Sequence, residues 1–363
     1  MKKVFAIFLM TIAATSLSIA RGSSDEISDY QSKSFTVQKG GLLTVDVKPG
    51  AVRIESWSKD EVFIEADGID ERHPDRLSMA QSGNNVTVKY YDRHSRNNDI
   101  RFYIKVPSNF NADVQTSGGS IKQKNLLTGN FRAETKGGSI EIDHIIGKVE
   151  IETGGGSIDA EKVEGNAEMK TGGGSIKIGL VTGVLEVRTG GGSITLRETG
   201  GKVKASTGGG SIKAENASAW IDLSTGGGSV TVRRAKYGAK VRTGGGGVQM
   251  EEITGVVEVT TGGGSIQCEL NPGSSGNSRI KTGGGDIQLF LPENAKVIVE
   301  ATINLDHGWK RHRDRYKIRS DFESDKYETD GDIFAVYTLN GGGSKITLET
   351  TDSDIRISKM SSR

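Results

Sequence analysis

Thr153-Gly154-Gly155-Gly156-Ser157-Ile158 recurs, with small changes, from Thr171, Thr189, Thr207, Thr225, Thr243 and Thr261, each start 18 residues after the last. Degenerate copies begin at Thr116 and Thr135 on one side and, after a three-residue insertion, at Thr282 on the other. A fixed period of this length marks a structural repeat in which each unit buries its apolar face only by stacking on its neighbours. Glycine reaches 51 of 363 residues, about twice the usual share. Proline stays at 5, which excludes a collagen-like chain or a Pro/Gly-rich linker.

Each unit holds two short alternating runs. Val149, Ile151 and Thr153 share one parity, with Lys148, Glu150 and Glu152 between them; Ile158 and Ala160 alternate with Asp159 and Glu161. Period-two alternation predicts half-buried strands. The glycine triplet forms one turn, and a Gly six residues before the Thr, as at Gly147 and Gly165, forms the other. Glycine at both corners points to positive φ there. The chain is thus expected to be all-β: a narrow β-solenoid of about nine 18-residue, two-strand coils, with β caps at both ends.

Stacking brings equivalent positions into columns. The expected inward columns run through Val149, Ala167, Leu185 and Val203; through Ile151, Met169, Val187 and Ala205; and through Ile158, Ile176, Ile194 and Ile212. The Thr column shares their parity, so its hydroxyls should turn inward and bond to turn backbone rather than face solvent. Cys268 shares it too and reads as a buried, inert thiol. Outward, Lys204, Asp222, Lys240, Glu258 and Arg279 alternate in sign, whereas Glu150, Glu168 and Glu186 should repel one another.

Four segments divide the chain. Residues 1–20 read as a signal peptide: Lys2 and Lys3, an apolar run from Val4 to Leu17, then Ser18-Ile19-Ala20. Export follows, to the periplasm, the medium or the cell surface. Residues 30–115 form an N-terminal β cap, 116–291 the repeat, and 292–358 a C-terminal β cap with a basic polar insertion. One cysteine allows no internal disulfide. Lys plus Arg (47) balances Asp plus Glu (46), which argues against bulk attraction to nucleic acid or anionic lipid.

The Thr-x-Gly-Gly-Ser-Ile type repeats and the closing segment carry a resemblance. The latter contains Arg319-Ser320-Asp321-Phe322, Leu339-Asn340-Gly341-Gly342-Gly343, Ile346-Thr347-Leu348-Glu349-Thr350 and Ile355-Arg356-Ile357. Over about residues 35–358 the chain resembles the bacterial putative-adhesin family of β-strand-repeat proteins, a domain of unknown function. The family commonly has Gly-Asp-Ile in each coil, here present only as Gly285-Asp286-Ile287. The resemblance implies a β-repeat fold in an exported or membrane-attached protein and leaves the biochemical activity open.

Chemistry is sparse in the repeat. The triplets lack the Lys of a phosphate loop, the 5 histidines lack ligand spacing, and the coils offer no clustered acids. No catalytic residue, metal or cofactor is expected. One segment departs from the background: Trp309, Lys310, Arg311, Arg313, Arg315 and Lys317 interleave bases with aromatics, a composition suited to an anionic ligand. The competing assignment is a solvated segment neutralised by Asp306, Asp321, Glu323 and Asp325. The sequence therefore points to a non-enzymatic exported solenoid, an adhesin or cell-envelope scaffold with polysaccharide or a protein as partner. A β-helix enzyme acting on acidic polysaccharide and a periplasmic partner of a signalling system are the alternatives.

Overall fold

The computed structural model describes residues 31–69, 73–92, 100–273, 276–305 and 315–360. The segment read as a signal peptide lies outside them. Two parallel sheets face each other across one core. Strands such as Val149–Thr153, which end on the repeat threonine, build the Thr sheet; strands such as Ile158–Glu164, which follow the glycine triplet, build the Ile sheet. The Ile sheet has 16 strands, giving a rod about 70 Å long at ~4.8 Å per strand.

Register follows the 18-residue period. Val149 pairs with Ala167, Ala167 with Leu185 and Leu185 with Val203, while Ile158, Ile176, Ile194 and Ile212 form the facing column. All of these side chains are buried. The core also has a column that the alternation did not predict: Ile145, Val163, Val181, Thr199 and Ala217. Alternation breaks before it, because Glu161 and Lys162 both face outward and bend the strand there. Cys268 is fully buried, and loss of hydration pushes its thiol pKa up to about 12, so it carries no reactive thiolate.

The triplet glycines serve close approach and not positive φ. None of them has positive φ, whereas Gly129, Gly147 and Gly165 at the opposite corner do. A Cβ on Gly190 would sit 2.2 Å from the Gly172 carbonyl oxygen, and one on Gly192 2.1 Å from that of Gly174. At these two positions a side chain would point along the rod into the coil before it. The middle glycine is different: a Cβ on Gly191 comes no closer than 4.0 Å to Gly173 oxygen.

The buried threonines hold this corner together. Thr207 Oγ1 donates to Gly192 oxygen in the preceding coil at 2.7 Å and accepts from the Gly210 N–H of its own coil at 3.3 Å. The same pair of bonds recurs at Thr171, Thr189, Thr225 and Thr243. Outside the corner, Ser193 N–H donates to Ser175 Oγ at 3.3 Å and Ser211 N–H to Ser193 Oγ at 3.2 Å, forming a second ladder.

At both ends the coils stack out of chain order. Strands Leu42–Lys48 and Ala51–Trp57 lie between Asn85–Tyr91 and Arg101–Pro107 on the outer side and Asn111–Thr116 and Ile121–Thr128 on the inner side. Likewise, Ser344–Thr351 and Ile355–Lys359 slip between Ser278–Thr282 and Ile287–Leu291 on one side and Val297–Asn304 and Ile318–Ser320 on the other. Antiparallel strands close the ends: Gln31–Thr36 on Glu61–Asp67, Leu77–Ser82 on Asn85–Tyr91, and Lys326–Glu328 on Ile333–Leu339. Lys33 Nζ further caps the Met79 carbonyl at 2.9 Å. Three of the four sheet edges are thereby ended by antiparallel strands that do not offer the pairing pattern of another coil, and the fourth, at the C-terminal end of the Ile sheet, is the three-residue parallel strand Ile318–Ser320.

Two substitution pairs test the corner. Gly192→Ala is expected to destabilise the rod by about 1–3 kcal/mol or more, the cost of overpacking, while Gly191→Ala leaves the denaturation midpoint unchanged. Equal midpoints for the two would contradict the close approach. Thr207→Val should cost about 1–3 kcal/mol by stranding Gly192 oxygen and Gly210 N–H, and Thr207→Ser should recover most of it.

Candidate functional site

Of the basic residues singled out above, Arg315 and Lys317 fall within the described residues; Trp309, Lys310, Arg311 and Arg313 lie outside them. Strand Ile318–Ser320 pairs in parallel with Ile355–Lys359, with Ile318 on Ile355 and Arg319 on Arg356. Ile318 is buried and extends the inward column of Ile287 and Ile355. This anchor fixes Lys317 and Arg319 on the outer face of the Ile sheet, where both are exposed beside exposed Arg356.

The Ser ladder, interrupted at Gly247, resumes here in altered form. Asp286 N–H donates to Ser265 Oγ at 3.3 Å, and Asp354 N–H to Asp286 Oδ1 at 3.0 Å. Asp354 then accepts the Lys317 N–H at 2.9 Å and Arg319 Nη1 at 3.1 Å. The carboxylate that meets Arg319 is therefore Asp354, 35 residues away in sequence and just before strand Ile355–Lys359, while Asp321 accepts the Lys359 N–H at 3.1 Å. Arg315 rests 5.8 Å from the ring centroid of Tyr316, which packs against the core. Arg356 Nε bonds Ser358 Oγ at 3.1 Å and leaves the rest of its guanidinium to the surface. Lys317, Arg319 and Arg356 stand together here, beside the carboxylates of Asp354 and Asp286.

Next to it lies a surface that the basic segment did not signal. Outward residues Thr231, Gln249, Gln267, Gln288, Arg356 and Arg319 stand in one register column. Toward the other end, the same column holds Lys122, Glu141, Asp159 and Lys177. Beside the glutamines is a notch of about 670 Å³ bordered by Arg234, Glu252, Asn271, Phe290 and Met360. Its cause is one missing residue. In Ile266–Asn271 the alternation is unbroken, so Met250 pairs with Cys268 and Ile253 with Leu270, and Glu251 with Glu252 faces Glu269 alone. The outward bulge that fills this position in earlier coils is absent. The signal was present in the strict Ile266-Gln267-Cys268-Glu269-Leu270 alternation and in the repeated glutamine.

Ion pairs cover much of the remaining outer surface. Glu150, Glu168 and Glu186, expected to repel down the stack, each pair sideways with Lys148, Lys170 or Arg188 two residues away. Lys124 and then Lys122 hold the Glu141 carboxyl below its ordinary value, Lys162 and then His144 do so for Glu164, and Lys170 does so for Glu168. These carboxylates stay ionised at neutral pH, the opposite of what a general acid needs. Among the described residues no three or more His, Cys, Asp or Glu side chains gather to hold a metal ion, and no helix is long and apolar enough to cross a membrane.

Comparison with known proteins gives the family. Among solved structures, the chain is similar to a putative adhesin from Bacteroides fragilis, at 15% identity over 66% of this chain and 96% of that one, with a TM-score of 0.33. It is similar to a putative adhesin from Parabacteroides distasonis at 15% identity, over 72% of this chain and 96% of that one, with a TM-score of 0.34. A putative lipid binding protein from the same organism matches at 14% identity, over 72% and 96%, with a TM-score of 0.33. No curated protein matches the chain. The Toastrack DUF4097 model matches residues 42–238, from the first out-of-order coil to the repeat unit that starts at Thr225. With more than half of its 363 residues in that match, the chain belongs to the Toastrack DUF4097 family, a bacterial domain of unknown function.

Proposed function

We propose that this chain is a non-enzymatic exported rod, an adhesin or cell-envelope scaffold, that binds acidic envelope polymers through the basic surface at its C-terminal end. The observation that carries the reading is Arg319 and Arg356, exposed on the last two rungs of the Ile sheet, with exposed Lys317 just before the strand and Arg315 two residues further back in sequence. The sheet fixes the backbone beneath Arg319 and Arg356, so no ordering of a loop there adds to the side-chain cost of binding. Guanidinium groups suit carboxylate and phosphate ligands, which they engage through paired donors. The sequence of the insertion, with Trp309, Lys310, Arg311 and Arg313, supplies further groups of the same chemistry to the same ligand. Export rests on the segment from Lys2 to Ala20.

The test uses the chain from Arg21 onward and a variant with Arg315, Lys317, Arg319 and Arg356 changed to Ser. Lipopolysaccharide, lipoteichoic acid and alginate serve as probes. At least one of these should bind the unmodified protein, with an affinity that falls as salt rises and with a loss of about tenfold or more in the variant. Equal binding by both proteins would remove the basic surface as the ligand site.

A further inference from the structure

We infer that the C-terminal third of the Ile sheet's outer face binds a linear acidic polysaccharide, whose hydroxyls meet the glutamine column and whose acidic groups meet Arg356 and Arg319. The inference rests on the anionic-ligand reading above and extends it from a charged end to a continuous track. From Thr231 to Arg319 the column has six rungs, spanning about 24 Å at ~4.8 Å per rung. That is room for a short run of sugar units.

Three observations select this ligand. First, the column changes chemistry along its length. Lys122, Glu141, Asp159 and Lys177 are ionic, Thr195 and Lys213 follow, and from there Thr231, Gln249, Gln267 and Gln288 are neutral groups that both donate and accept hydrogen bonds. Carboxamides match the mixed donor and acceptor character of sugar hydroxyls, which ionic groups match less completely. A shallow trough of about 320 Å³ follows the glutamines, edged by Ser229 and Ser265. Second, the missing bulge opens the notch directly beside this track. Phe290 lies two residues beyond Gln288 on the same strand, and with Met360 it gives the notch an apolar wall, while Asn271 adds a carboxamide. An aromatic or apolar wall with a few polar groups suits the C–H face of a pyranose ring. Third, the strands under the glutamines are paired on both sides, and the one open edge on the track belongs to the three-residue strand Ile318–Ser320. An extended peptide gains its affinity from main-chain bonds to a free sheet edge, which the glutamine rungs do not offer. A ligand on these rungs meets side chains only.

Charge decides which sugars. Within the notch, Arg234 is bound by the Glu252 carboxylate and by Asn216 Oδ1, so its charge is already met. At the end of the track Arg356 and Lys317 are exposed, and Asp354 is the carboxylate found with Arg319. The glutamine rungs themselves are neutral, bordered by Asp286 in the trough and by Lys236 and Glu269 in the notch, and the exposed cations gather at one end. A polymer of uronic acids or an anionically substituted glycan fits both parts.

The experiment titrates the chain from Arg21 with oligogalacturonate and oligomannuronate hexamers, with cellohexaose as the neutral control, at several salt concentrations. One acidic hexamer should bind. Changing Gln249, Gln267 and Gln288 together to Ala should weaken that binding about tenfold or more while leaving its salt dependence unchanged. Phe290→Ala should act in the same way. Arg356→Ser should weaken binding and also flatten the salt dependence. The glutamines are surface residues, so an unchanged melting temperature shows that the triple variant is folded. If the triple variant binds like the unmodified chain, or if neither acidic hexamer binds, the track is overturned. If the glutamine changes are silent and the basic-surface variant alone loses binding, the track fails and the function proposed above stands.

Discussion

Everything in this rod depends on how closely one coil can lie on the next at the glycine corner. Sheet pairing sets a spacing of about 4.8 Å, and at that distance a Cβ on the first or third triplet residue would collide with a carbonyl of the preceding coil. Removing the side chain solves the steric problem but leaves turn backbone that needs partners. The inward threonine answers that need from both sides, accepting from its own coil and donating to the one before. Glycine and threonine are therefore one device, and this explains why they recur together while the apolar positions wander among Val, Ile, Leu, Ala and Met.

The same device explains what could be read from the sequence. Equal spacing from Thr153 to Thr261 shows the period, and the alternation of Val149, Ile151 and Thr153 shows which face is buried. Positive φ was the wrong reason for the triplet, because a residue list does not distinguish a glycine needed for its backbone angles from one needed for absent atoms. The column through Val163 and Val181 was hidden by a local break: Glu161 and Lys162 both face outward, and simple parity stops there.

The ends were less legible, for a reason of distance. Pairing Val45 with Val114, or Ile280 with Leu348, joins residues about 70 positions apart, and no local pattern announces it. Each of these coils reads as an ordinary hairpin-like pair of strands, whatever its place in the stack. The surface at Lys317 and Arg319 shares that difficulty. Its basic composition was visible, but its neighbours Asp354 and Arg356 come from the out-of-order coil that stacks beneath it.

A repeat this regular also constrains where recognition can arise. Neighbouring coils present nearly equivalent positions, and on the Thr sheet outward charges such as Glu150, Glu168, Glu186 and Lys240 are met by partners two residues away or one coil on. Such a surface is uniform and largely self-satisfied, which suits a spacer better than a specific site. Specificity requires a local departure, and the departures converge on one region. The bulge is lost in Ile266–Asn271, the column turns from ionic to amide at Thr231 and Gln249, and the Ser ladder turns to carboxylates at Asp286 and Asp354. None of these changes touches the inward columns, which remain apolar through Ile266, Ile287 and Ile355. The core can therefore keep its period while the outer face of the same coils changes chemistry, because alternate residues of a strand answer to different surroundings. That separation lets a rod with a repetitive interior carry a single distinct surface near one end.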